Sequence, residues 1–264
     1  YKTGLNTSPH MEDFCERIRI DGVEITEEEV VALIEEMKPA IESMEIITTF
    51  EIITILAMLY FAQMKVDYVC FEVGLGGRLD ATNVVDPVVS LLTSISYEHT
   101  AILGDTLTEI AGEKAGIIKP GIPVISSGQV DEVRAVFNEE ARKVSATLSY
   151  STDNYSFEIL ERRINHQKIR IVPVADEITE VVIDLPLIGD HQAENAVTAY
   201  AAVSELIRQG ELISKAQIQA GFANVVWPGR METISDEPLV IVDGAHNPDS
   251  ARRLAEAVDA FLNN

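Results

Sequence analysis

Five stretches of this sequence place chemically capable residues at points where the chain must turn. In the first, Phe71 to Asn83, Glu72 ends an apolar run and the chain enters the glycine-rich segment Gly74-Leu75-Gly76-Gly77. A carboxylate at the end of a strand lies where ligands bind in open α/β sheets, outside the strands' carboxyl ends. An ion pair between Glu72 and Arg78 is the competing reading. A dinucleotide fingerprint fits poorly: Leu79 stands where its last glycine belongs, and no helix's length separates the loop from Val88.

The second stretch, Ser94 to Thr100, follows another apolar run and carries His99. A lone histidine is usually a hydrogen-bonded structural residue. Two consecutive strand-end loops offering a carboxylate and an imidazole nevertheless suit a divalent cation, which in an ATP-using protein is Mg²⁺. The third, Glu113-Lys114-Ala115-Gly116, ends a helical pattern, where a lysine ordinarily complements the helix dipole. The fourth, Asp190 to Ala196, opens a helix with a polar turn containing His191 and Asn195; capping is the plain explanation. The fifth joins Gly229-Arg230-Met231-Glu232 to Asp243-Gly244-Ala245-His246-Asn247-Pro248. Asp243 and His246 in one strand-to-helix turn can orient a polar ligand, and an ordinary Asn-Pro helix start is the alternative.

The elements that must hold these residues follow from periodicity and punctuation. Capping boxes at Thr26/Glu29, Thr106/Glu109 and Ser214/Gln217 open helices, and Asp190 is read as the cap of a long helix to about Arg208. Residues 50–64 are apolar almost all round, which predicts a buried helix. Asp67–Val73 and Val88–Ile95 read as buried parallel strands, Val124–Ser126 as a further strand, and the strand–helix alternation as a doubly wound sheet. Phe157–Leu187 holds three alternating runs without helices, a small antiparallel sheet. The expected architecture is α/β: a mostly parallel doubly wound sheet with a small antiparallel subsheet, then the start of a second, Rossmann-like domain. The boundary falls at Trp227-Pro228-Gly229, giving residues 1–226 and 227–264. A final strand–helix unit, Leu239 to Leu262, has no pairing partner in the sequence reading, and both ends read as cut.

Composition narrows the function. With 264 residues and a 47% hydrophobic content the chain can bury a large core. A formal charge of −23 argues against non-specific nucleic-acid binding, which needs cations to neutralise phosphates. No run approaches the ~20 apolar residues of a membrane span, so no membrane role and a cytoplasmic setting are expected; a monomer is the separate expectation for its assembly. Cys15 and Cys70 are too few for a disulfide framework and are given no chemical role.

Together these segments resemble the folylpolyglutamate synthase / dihydrofolate synthase family within the Mur-type ATP-dependent amide ligases. The resemblance runs in order through Thr7-Ser8-Pro9-His10, Phe14 to Ile18, Thr49-Phe50-Glu51, Glu72 to Asn83, His99-Thr100, Leu103 to Thr106, Glu113 to Gly116, His191-Gln192 with Asn195-Ala196, Gly229 to Glu232 and Asp243 to Pro248. It implies that Glu72 and His99 are Mg²⁺ ligands and that Lys114 is the lysine the family carbamylates. It also implies that Asn195, Arg230 and Asp243 contact ATP, that His246 lies near the incoming L-glutamate, and that Ser8 and His10 belong to the segment meeting folate or dihydropteroate. Lys114, Arg230 and His246 would then carry the catalysis. Two departures stand out. Glu98 precedes His99 where the family has Asp, and no glycine in this chain is followed by lysine, so the family's Walker A loop is not found. Another Mur-type ligase, or a non-catalytic remnant of the fold, is the alternative, and residues 1–264 alone are expected to show no ligase turnover.

Overall fold

A computed structural model describes residues 1–174 and 180–262, which form two compact units, Tyr1–Val85 and Asp86–Asn264. In the first, β1 (Thr3–Asn6) pairs antiparallel with β2 (Ile18–Ile20), which pairs with β3 (Val23–Glu24). Helices α1 (Glu27–Ser43) and α2 (Thr49–Met64) follow, and β4 (Tyr68–Phe71) returns parallel to β1. The Thr26/Glu29 box closes as expected, and a second box, Thr48/Glu51, starts α2. Leu56, Ala57 and Phe61 of α2 join Leu33 and Met37 of α1 over Ile18 and Ile20. Full burial of each such aliphatic or aromatic side chain contributes about 1.5–3 kcal/mol.

The second unit begins with β5 (Ser90–Leu92), α3 (Thr100–Leu103), α4 (Leu107–Lys114), β6 (Val124–Ser126), α5 (Asp131–Lys143) and β7 (Leu148–Tyr150). The three strands are parallel with β6 central. Successive side chains of a strand point to opposite faces. Val124 accordingly packs with Val133 and Phe137 of α5, while Ile125 packs with the residues of the next layer. A helical turn, α6 (Ser151–Asn154), leads to the antiparallel β8 (Tyr155–Arg163), β9 (His166–Pro173) and β10 (Val181–Leu185). Residues 175–179, within the run read as the antiparallel sheet, lie outside the described residues. Helix α7 (Asp190–Arg208) covers that sheet through Ala193, Val197 and Tyr200, the last edge-on to Tyr155 with ring centroids 5.4 Å apart. Helix α8 (Lys215–Ala223), a hairpin of β11 (Glu232–Asp236) with β12 (Leu239–Val242), and α9 (Pro248–Leu262) complete the chain.

Three expectations need correction. Leu239–Val242 has a partner: β11 pairs antiparallel with it. The signal was weak because β11 reads Glu-Thr-Ile-Ser-Asp, with few apolar residues. Asp190 does not cap α7. Gly189 occupies that position at φ 110°, a conformation glycine tolerates, and Asp190 is the first helical residue, paired with Arg162 at 2.7 Å. Finally, β4 and β5 are parallel strands but not wholly buried, since Cys70 and Leu91 are exposed. Among the described residues no helix is long and apolar enough to cross a membrane.

Candidate active site

In the first unit, parallel pairing of β1 with β4 puts Asn6 opposite Phe71, and the Glu72 N–H continues the ladder by donating to Asn6 O at 2.9 Å. The two strands therefore release Thr7–His10 and Glu72 from the same sheet edge. The Ser8 N–H donates to Glu72 Oε2 at 2.7 Å, so the structure brings two sequence-predicted residues together. His10 Nδ1 accepts from Arg17 Nε at 2.8 Å, and the Arg17 carbonyl accepts from both the Thr7 N–H and the Asn6 amide.

The base of this loop is tied by Glu16, whose carboxylate accepts the N–H groups of Met11, Glu12 and Asp13 at 2.9, 2.7 and 2.7 Å. These backbone donors, Met11 first, hold its pKa down to about 2 against an ordinary 4.5. Because the folded value is depressed, the contribution is complete above about 4.5 and is lost as pH falls toward about 2. Glu16→Gln is thus expected to lower the urea midpoint near neutral pH and to match wild type once both are acidified to the lower value. An equal gap at both pH values would disprove the assignment.

The glycine-rich loop is folded by one carboxylate. Asp80 accepts from Gly74 N–H (3.1 Å), Leu75 N–H (2.9 Å), Thr82 N–H (2.9 Å) and the Thr82 hydroxyl (2.6 Å). The sequence reading gave Asp80 no role, although Asp two residues before Thr is the pattern of a side chain bonding its own turn. Gly74 must be small: a Cβ there would lie 2.4 Å from Phe50 Cζ. Gly74→Ala is expected to destabilise the chain by about 1–3 kcal/mol, the usual cost of overpacking. Adding Phe50→Ala should recover part of that in a thermal-midpoint double-mutant cycle. Strictly additive losses would show that the ring is not the obstacle.

In the second unit a cleft of about 200 Å³ is lined by Ser94, Ser96 and Glu98 after β5, by His191 and Asn195 in the first turns of α7, and by Arg253 of α9, among others. Lys114 Nζ lies 2.7 Å from Glu98 Oε1, so this lysine is held by a specific partner and does more than complement the helix dipole. His99 precedes α3 with left-handed backbone (φ 48°), an uncommon conformation for a residue with a side chain. Asn195 Nδ2 donates to Gln192 Oε1 at 3.1 Å. Burial, and then the Arg253 guanidinium, push the His191 imidazole below its ordinary pKa and favour its neutral form. Arg253 itself bridges Glu194 and Asp249, each at 3.2 Å.

Arg230, Asp243 and His246 gather at the turns flanking the β11–β12 hairpin. Asp243 Oδ2 accepts from Met231 N–H at 2.9 Å and Oδ1 from Ala245 N–H at 2.8 Å, which locks Gly229–Met231 to the Asp243–Pro248 turn. Gly244 leaves room for Arg230: a Cβ there would come within 2.5 Å of its Nη1. His246 Nδ1 is 2.7 Å from the Gly244 carbonyl oxygen, which can only accept, so Nδ1 is the donor of this hydrogen bond. Among the sequence-predicted residues, Asn195 lines the cleft with Glu98, whereas His99, Arg230, Asp243 and His246 are not part of its lining. Among the described residues no three His, Cys, Asp or Glu side chains converge as a metal cage. A carboxylate such as that of Glu72 suits a hard cation that keeps most of its coordination for water and phosphate, as Mg²⁺ does.

This architecture, parallel strands releasing polar loops at their carboxyl ends beside an antiparallel sheet and a long helix, is an open α/β fold. The Mur ligase middle domain matches residues 23–203, and the chain belongs to that family. It is 39% identical to the dihydrofolate synthase/folylpolyglutamate synthase of Bacillus subtilis over 98% of its own length and 61% of that protein's. A solved FPGS–AMPPCP–folate complex superposes with a TM-score of 0.92 at 35% identity, covering 98% of this chain and 64% of that one. The Mycobacterium tuberculosis folylpolyglutamate synthase, solved with ADP and AMPPCP, gives 0.85 at 36% identity, covering 97% and 60%. The chain thus spans about three fifths of the length of each of these three proteins.

Proposed function

We propose that residues 1–264 form part of an ATP-dependent ligase that joins L-glutamate to the carboxylate of a folate-type acid, either a tetrahydrofolate or dihydropteroate. The observation that carries this reading is the likeness to the FPGS–AMPPCP–folate complex over 98% of the chain, at a TM-score of 0.92. Residues 1–226 belong to the ATPase domain and 227–264 begin the glutamate-ligase domain, the protein working as a cytoplasmic monomer.

In this reading the acid's carboxylate oxygen attacks the γ-phosphorus of ATP and ADP leaves. The glutamate amine then attacks the acyl carbon, phosphate departs with the carboxylate's oxygen, and the amide remains. Both steps build negative charge, so positioning and electrostatic stabilisation matter more than covalent catalysis. Bound Mg²⁺ supplies charge neutralisation at the phosphates. Glu72, His99 and carbamylated Lys114 are the residues that would hold it, Asn195, Arg230 and Asp243 would meet ATP, and Ser8 and His10 the folate-type acid. His246, whose Nδ1 is engaged by the Gly244 carbonyl, would use Nε2 to accept a proton from the attacking amine. Asp243 acts at least in part through the turn it ties.

The test is ADP release by a full-length protein containing residues 1–264, supplied with ATP, Mg²⁺ and glutamate. Turnover is expected only when a tetrahydrofolate or dihydropteroate is added. Turnover with a cell-wall precursor in place of the folate would move the protein to another branch of the Mur ligases.

A further inference from the structure

Gln129 lies three residues beyond β6, and its side chain spans two strand ends. Its Oε1 accepts the Ile95 N–H at 3.1 Å, and its Nε2 donates to the Thr93 carbonyl at 2.8 Å and to the hydroxyls of Ser126 and Ser127, each at 3.2 Å. Ser126 and Ser127 are buried, and the Ser127 N–H donates to Leu92 O at 2.9 Å. One amide thereby satisfies the last backbone groups of the segment leaving β5, at the point where the ladder to β6 stops. Ser94, Ser96 and Glu98 of that segment line the cleft, and Glu98 holds Lys114. His99 follows in its left-handed turn. Between Leu92 and α3, Gln129 is the group that holds the backbone of this segment at Thr93 and Ile95, beside the Ile95 side chain packed against the core and the Glu98–Lys114 pair.

We propose that Gln129 is the positioning residue of the Thr93–His99 loop, fixing through Thr93 and Ile95 the presentation of Glu98 and His99. This rests on the ligase reading only for its consequence in catalysis. The anchoring itself is a property of the chain.

The test uses Gln129→Met, which keeps the side chain's length and removes all four hydrogen bonds, with Ser127→Ala as a milder variant that deletes one acceptor. In the 264-residue chain, hydrogen exchange at the Ile95 amide is expected to quicken about tenfold or more in Gln129→Met, while the Phe137 amide in α5 changes less than about twofold. The His99 imidazole resonance should shift, with those of His10 and His166 unmoved. In an active full-length protein Gln129→Met should raise the Mg²⁺ needed for half-maximal turnover about fivefold or more with little change in the KM for glutamate. Ser127→Ala should leave each measure near wild type. An unchanged Ile95 amide, an unmoved His99 resonance, or an unaltered Mg²⁺ requirement in an active enzyme overturns the proposal. A full-length protein with no ligase activity counts against the ligase reading alone, since the exchange and resonance measurements still decide the anchoring.

Discussion

In the full-length protein, Glu72→Gln is expected to cut turnover about 10–100-fold and to raise the Mg²⁺ requirement, with little effect on stability. The asymmetry follows from the geometry. Glutamine keeps an oxygen that accepts the Ser8 N–H, now made to Glu72 Oε2 at 2.7 Å, so the joint between the β1 and β4 loops survives. What disappears is the negative charge, and a neutral amide oxygen is a much poorer ligand for a hard cation than a carboxylate. His99→Ala should show the same kinetic signature. Were Glu72 only the partner of Arg78, the variant would shift the thermal midpoint by the ~0–1 kcal/mol of an exposed pair and leave the Mg²⁺ dependence untouched.

Lys114→Ala is expected to abolish most turnover and to be rescued by small carboxylates such as acetate or formate. An ammonium beside Mg²⁺ would repel it, whereas the carbamate formed from CO₂ and the neutral amine is an oxygen ligand. The structure gives the unmodified lysine a clear alternative, because its Nζ is 2.7 Å from Glu98 Oε1. Carbamylation would set two anions side by side, so Glu98 must turn away or share the cation. Rescue by carboxylates and not by alkylamines supports the carbamate. Rescue by alkylamines alone, or full activity of the variant, would make Lys114 a cation whose partner is Glu98.

Local signals were legible in the sequence, and long-range ones were not. The boxes at Thr26/Glu29, Thr106/Glu109 and Ser214/Gln217 close as read, because a cap depends on residues three apart. Strand Val124–Ser126 and the three-stranded antiparallel sheet were also readable, from their β-branched and alternating patterns. Gln129 escaped notice because its partners Thr93 and Ile95 are 36 and 34 positions away, and Arg253 because Glu194 is 59 away. The individual roles of Glu72, His99 and Lys114 came from the resemblance. Their spacing shows only that they follow strands or end a helix.

The central claim is that the acid is activated as an acyl phosphate, and its most direct measurement follows the carboxylate oxygen. A folate-type acid labelled with heavy oxygen in its reacting carboxylate is incubated with the full-length protein, ATP, Mg²⁺ and glutamate, and the released phosphate is examined by mass spectrometry. The account predicts one labelled oxygen in each phosphate, with ADP as the other nucleotide product. Label found in AMP, or retained entirely in the acid and amide, would contradict it.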